Sequence, residues 1–123
     1  MQSSITIRSR RRWREIGENL VQILYDNVIS YAESVFPDRE RQASLIEEIA
    51  SLTLSDIADD YLPEYSFTQG LSSAKYRVAD DLEVDKETLL RILSKMPSDL
   101  SHYYQLKLRQ RLLKAADSIR LKV

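Results

Sequence analysis

The chain has 123 residues, 43% of them hydrophobic and 30% charged, with two Gly, three Pro, no Cys and a formal net charge of −1. That is the size and composition of one helix-rich globular domain able to bury a core without disulfides or metals. It excludes cysteine-based zinc or redox chemistry and argues against a turn-rich β fold. The near-neutral balance hides a separation: residues 1–14 sum to +5, residues 15–66 to −10, residues 67–99 to −1 and residues 100–123 to +5. Basic ends around an acidic middle either attract that middle or present a surface for a polyanion.

In chain order, residues 1–9 are expected to form an extended or flexible arm, and the first helical period runs from about Arg12 to Phe36. Trp13, Ile16, Leu20, Ile23, Leu24, Tyr31 and Val35 fall on one side of it, with Glu15, Gln22, Asp26 and Glu33 opposite. Gly17 lies on the apolar side, where a missing side chain lets another helix approach closely. Pro37 ends the helix, because the residue before a proline avoids the α conformation. A second helix is predicted from Asp38, which can cap it, toward Tyr61, with Ala43, Ile46, Ile49, Ala50, Ile57 and Ala58 facing the core. Pro63 stops it, and Leu62 to Gly70 reads as a loop.

A short helix is predicted from Leu71 to about Asp81 on the spacing of Ala74, Val78 and Leu82. Val84 and Asp85 then lead into a helix capped by Asp85 and packing Leu89, Leu90, Ile92, Leu93 and Met96 inward. Pro97 breaks it, and Ser98 or Ser101 is expected to cap a last helix ending near Leu121. On that helix Tyr104, Leu108, Leu112, Ala115, Ala116 and Ile119 make an apolar face. Lys107, Arg111 and Lys114 line one flank of the face, and Arg109 and Arg120 share the other. The fold class is therefore all-α: a compact bundle of about five helices, read as one domain over residues 1–123.

Chemistry is scarce. The single histidine, His102, has no evident second group with which to run a reaction. Asp56 and Asp60 stand one helical turn apart and make the best carboxylate pair for a hard cation, but a solvated helix end is the simpler reading, and neither a calcium loop nor a Gly-rich phosphate cradle is present. No catalytic residue, cofactor, metal or small-molecule substrate is expected. No apolar run approaches the roughly 20 residues of a membrane span, and the start lacks a secretory apolar stretch, so the chain is read as cytoplasmic.

The cluster Arg8, Arg10, Arg11, Arg12 and Arg14, interrupted by Ser9 and Trp13, has a functional look. Arginine grips phosphate through a planar fork, and Trp13 could stack on a base, although its place on the apolar stripe favours the core. Together with Lys107, Arg109, Arg111, Lys114 and Arg120 this set is the candidate nucleic-acid-binding surface, contacting the backbone of RNA or DNA without sequence choice.

On the Arg8–Arg14 cluster, the basic set of the last helix and the all-helical plan over the whole chain, the sequence resembles the small subunit of CRISPR effector complexes of the Cascade type. The resemblance implies a compact helical bundle present in more than one copy within an antiviral nucleoprotein complex. Such subunits stack head to tail and help to hold the guide–target duplex and the displaced strand. It also implies that Ser4 to Arg8 would suit an internal translation start. The acidic middle departs from such a subunit and would have to face protein neighbours, including copies of the chain itself. The competing expectation is a protein–protein adaptor or homo-oligomeric scaffold with no nucleic-acid role.

Overall fold

The computed structural model describes residues 9–62, 76–77 and 83–122. Five helices carry it: α1 (Arg10–Val35), α2 (Arg39–Ala50), α3 (Leu54–Tyr61), α4 (Lys86–Lys95) and α5 (Ser98–Leu121). Two two-residue strands, β1 (Tyr76–Arg77) and β2 (Glu83–Val84), pair antiparallel ahead of α4. The all-α bundle of about five helices read from the sequence is the architecture observed, although the five are not the same five.

The helices start where side chains can cap free amides. Ser9, Asp38, Thr53 and Asp85 accept hydrogen bonds from the backbone N–H groups of Arg12, Arg41, Asp56 and Thr88 respectively. The Thr53 cap corrects the predicted second helix. Instead of running unbroken from Asp38 to Tyr61, the chain stops at Ala50, turns through Ser51 and Leu52, and restarts at Leu54. The apolar period continues across the break, which hid it. Its signal is local: Thr53 followed three residues later by Asp56 is the spacing of a helix start.

Residues 76–77 correct a second expectation, since they form a strand paired to residues 83–84 where a helix was predicted across Leu71–Asp81. Three apolar residues at spacings of four are too few to outweigh a ladder whose Val84 is buried at 3% exposure. The rest of that prediction, like the loop over residues 63–70 and the arm over residues 1–8, lies outside the described residues. Ser98 and Ser101 do not cap α5 either. Pro97, with φ of −54°, takes the cap position without a side-chain bond, and its carbonyl accepts from the Ser101 N–H.

The core is continuous. Ile16, Leu20, Leu24 and Val28 of α1, Ile46 of α2, Leu89 of α4 and Leu112 of α5 are fully buried. Tyr31 and Val35, expected on the core stripe of α1, are instead 40% and 43% exposed. The row continues through Ala32, and Tyr31 falls at its edge, where it meets Tyr61 edge-on with ring centroids 5.0 Å apart.

Ion pairs and hydrogen bonds fix the directions of the helices. Arg10, Glu18 and Gln22 of α1 meet Asp99, Lys107 and Arg111 of α5, so the partner numbers rise together and the two helices run parallel. Arg39, Glu47 and Ala50 of α2 meet Lys122, Arg120 and Arg109, so the numbers run oppositely and α2 is antiparallel to α5. Gly17 lets α1 and α5 close. A Cβ there would sit 2.2 Å from a ring carbon of Tyr104, whose hydroxyl donates to the Arg14 carbonyl at 3.3 Å.

Candidate functional site

The basic residues divide along the two flanks of α5 because that helix is wedged between α1 and α2. Toward α2, Arg120 is held in a fork. Its Nε lies 3.0 Å from Glu40, its Nη2 lies 2.9 Å from Glu47 Oε1, and its Nη1 contacts the other Glu47 oxygen. The Arg120 hydrogen bonds hold the Glu47 carboxyl below the usual carboxylate range, and the two glutamates push the guanidinium further up. Arg109 donates from Nε to the Ala50 carbonyl at 3.1 Å, one of the acceptors left open where α2 ends. These two cations serve the joint between α2 and α5, so the attraction of a basic end for the acidic middle is realised within the molecule.

Toward α1 the parallel register interleaves both helices' polar residues. Arg10 pairs with Asp99 at 2.6 Å and lowers its pKa, and Lys107 pairs with Glu18 at 2.7 Å, which raises the lysine pKa. Arg111 pairs with no carboxylate among the described residues. Its Nη1 donates to Gln22 Oε1 at 3.0 Å, and its guanidinium lies 4.2 Å from the centroid of the Tyr25 ring. Arg12 pairs with Glu15 at 3.3 Å on α1 itself.

Arg11, Arg14 and Lys114 form no ion pair among the described residues. Arg14 lies one turn from both Arg10 and Glu18, so it belongs to the α1–α5 flank, as do Lys107, Arg111 and Lys114. The structure thus gathers Arg10, Arg14, Lys107, Arg111 and Lys114 on one side, with Glu18, Asp99 and Gln22 among them, and turns Arg109 and Arg120 to the other. Arg8 lies outside the described residues. Trp13 is 6% exposed and belongs to the core, which removes it as a stacking platform.

Near the C-terminal half of this flank α1 and α5 part to leave an open groove of about 470 Å³, lined by Tyr25, Ile29, Glu33, Arg111, Lys114 and Ile119 among others. Among the described residues no three His, Cys, Asp or Glu side chains come together as a metal site, and no helix is long and apolar enough to cross a membrane. His102 is exposed at the start of α5.

Of the apolar face drawn on α5 from the sequence, Tyr104, Leu108, Leu112 and Ala116 are buried, Ala115 and Ile119 are half-buried along the groove, and a second row lies opposite. Tyr103, Leu106 and Leu113 are 52%, 38% and 40% exposed, and Leu121 is 78% exposed. With Gln110 and Asp117, Tyr103, Leu106 and Leu113 recur at alternating steps of three and four, and Leu121 lies four residues further on, so all of them form one line on the solvent side of the helix. The signal was available in the sequence, but the search for a core face ends once one apolar stripe is found. No known family model, no curated protein and no solved structure matches this chain.

Proposed function

We propose that the chain is a non-catalytic helical interaction subunit that docks other proteins on the outer face of α5. The observation that carries this reading is the second apolar row. Scattered exposed leucines are ordinary on a protein surface, but Tyr103, Leu106 and Leu113 stand in line at seam spacing on a long helix already packed on its other side. Most of the candidate phosphate contacts, by contrast, are engaged by the protein's own groups: Arg10, Arg12, Lys107 and Arg120 by carboxylates, Arg109 by a carbonyl and Arg111 by an amide and a ring. Site-specific photo-cross-linking in native cells tests it. Probes at Leu106 and Leu113 should give adducts of defined mass, and a probe at exposed Ser44 of α2 should not. Equal labelling from both faces would overturn the reading.

A second reading keeps nucleic-acid backbone as the partner, as in the CRISPR small subunit that the sequence resembles. It is favoured by Arg14 and Lys114, which form no ion pair among the described residues and share the side of Lys107 and Arg111. If Z phosphates are neutralised, the log–log slope of affinity against salt should be about −0.7Z to −0.9Z, so a salt-insensitive or absent filter-binding signal removes this reading.

A further inference from the structure

We infer that the outer face of α5 is built to receive one α-helix of another protein, amphipathic and carrying acidic residues beside its apolar seam. The inference rests on the docking role proposed above and specifies its partner.

The shape comes from spacing. Tyr103, Leu106, Gln110, Leu113 and Asp117 advance by three, four, three and four residues, with Leu121 continuing on the same side. Side chains in that rhythm fit the holes between side chains of a second helix, which stays in register over the whole line. From Tyr103 to Leu121 the line is about 27 Å long at about 1.5 Å per residue, enough for a partner of roughly eighteen residues. Among the described residues the two strands are two residues each, so strand addition has little edge to use.

The charge comes from the borders. Lys107 and Lys114 follow Leu106 and Leu113 along one edge of the seam, and His102 and Arg109 precede Tyr103 and Gln110 along the other. Neither edge between residues 102 and 114 carries an acid. Lys107 is shared with Glu18 and Arg109 with the Ala50 carbonyl, whereas Lys114 forms no ion pair among the described residues. This edge pattern discriminates against a second copy of the same face. Parallel pairing would set Lys107 and Lys114 against the edge that carries Arg109, and antiparallel pairing would set each basic edge against itself. A helix with Glu or Asp beside its seam meets opposite charge on both edges. Two positions then set the register: Gln110 in mid-seam matches a polar partner residue, and Asp117 matches a cation or a neutral group.

The test uses the full chain and three designed helical peptides of three heptads. All carry Leu on the seam with one central Asn, and their edges are Glu, Gln or Lys respectively. Calorimetric titration should show the Glu peptide binding on the order of tenfold tighter than the Gln peptide, with the Lys peptide weakest and the advantage of Glu shrinking as salt rises. A Leu106→Gln/Leu113→Gln variant should lose the Glu peptide while keeping its helical circular dichroism and melting temperature. Equal affinity for all three peptides would overturn the acidic partner and leave the docking face standing. No binding by any peptide, or undiminished binding to the double variant, would overturn both. Dimers that form without peptide and vanish in the double variant would make the occupant a second copy and overturn the inference.

Discussion

Along α5 the inward residues Tyr104, Leu108, Leu112 and Ala116 are at most 2% exposed, whereas Tyr103, Leu106 and Leu113 on the opposite side are 38–52% exposed. The two rows use the same kinds of side chain on one helix. One contributes to folding because α1 and α2 close over it, and the other leaves its apolar surface in water. Burial, more than residue type, decides whether a leucine stabilises the bundle. The two flanks of α5 differ in a parallel way. Arg120 is fixed by two glutamates of α2, while Lys114 on the α1 side has no ion pair among the described residues.

The sharpest way to break the comparison is to truncate both rows. Tyr104→Ala should lower unfolding free energy by about 3–5 kcal/mol and Leu112→Ala by about 2–5 kcal/mol, through lost transfer energy and the cavities left behind. Leu106→Gln and Leu113→Gln should stay within about 0.5 kcal/mol of wild type. Urea denaturation monitored by circular dichroism measures both, and a large loss from the outer pair would mean that this row is covered within the molecule.

Gly17→Ala comes next, at about 1–3 kcal/mol of destabilisation, even though alanine is the better helix former by about 1 kcal/mol. The added methyl meets the ring of Tyr104, so a Tyr104→Leu background should remove much of the penalty. A double-mutant cycle reads that coupling, and simple additivity would contradict the close approach of α1 and α5. Smaller again, Asp85→Ala and Thr53→Ala should each cost about 1 kcal/mol through lost helix caps. If Thr53→Ala had no effect, the break between α2 and α3 would need another cause.

The ion pairs predict a gradual acid response. Glu47 and Asp99 are held below their ordinary values of 4.5 and 3.8 by Arg120 and Arg10. On acidification the unfolded chain therefore takes up protons first. The stability these pairs contribute is present above the unfolded values and is lost as pH falls through the lower folded ones. Melting temperature followed from pH 7 down to about pH 2 should decline in this window, and Glu47→Gln should flatten part of the decline. An unchanged slope would show that the Arg120 fork adds no stability.

The sequence by itself determined the all-α class, the ends of α1, α4 and α5 to within a residue or two, and most of the core. Periodicity and punctuation are local properties, and Pro37, Asp85 and the run Tyr104, Leu108 and Leu112 act over one or two turns. Gly17 also announced a close approach, but its partner Tyr104 lies far along the chain, and only the packed bundle identifies it. The break at Thr53 and the strand at Tyr76 were missed because weak period signals were extended over stronger local alternatives. The candidate site was legible as a list of cations but not as a surface. Whether an arginine greets a phosphate or its own glutamate depends on which helices neighbour α5 and in which direction they run. The parallel register with α1 and the antiparallel register with α2 decided that, sending Arg120 to Glu40 and Glu47 and leaving Lys114 outside. Tertiary packing likewise showed that the second apolar row on α5 stays in water, because a helix can turn only one side toward the interior.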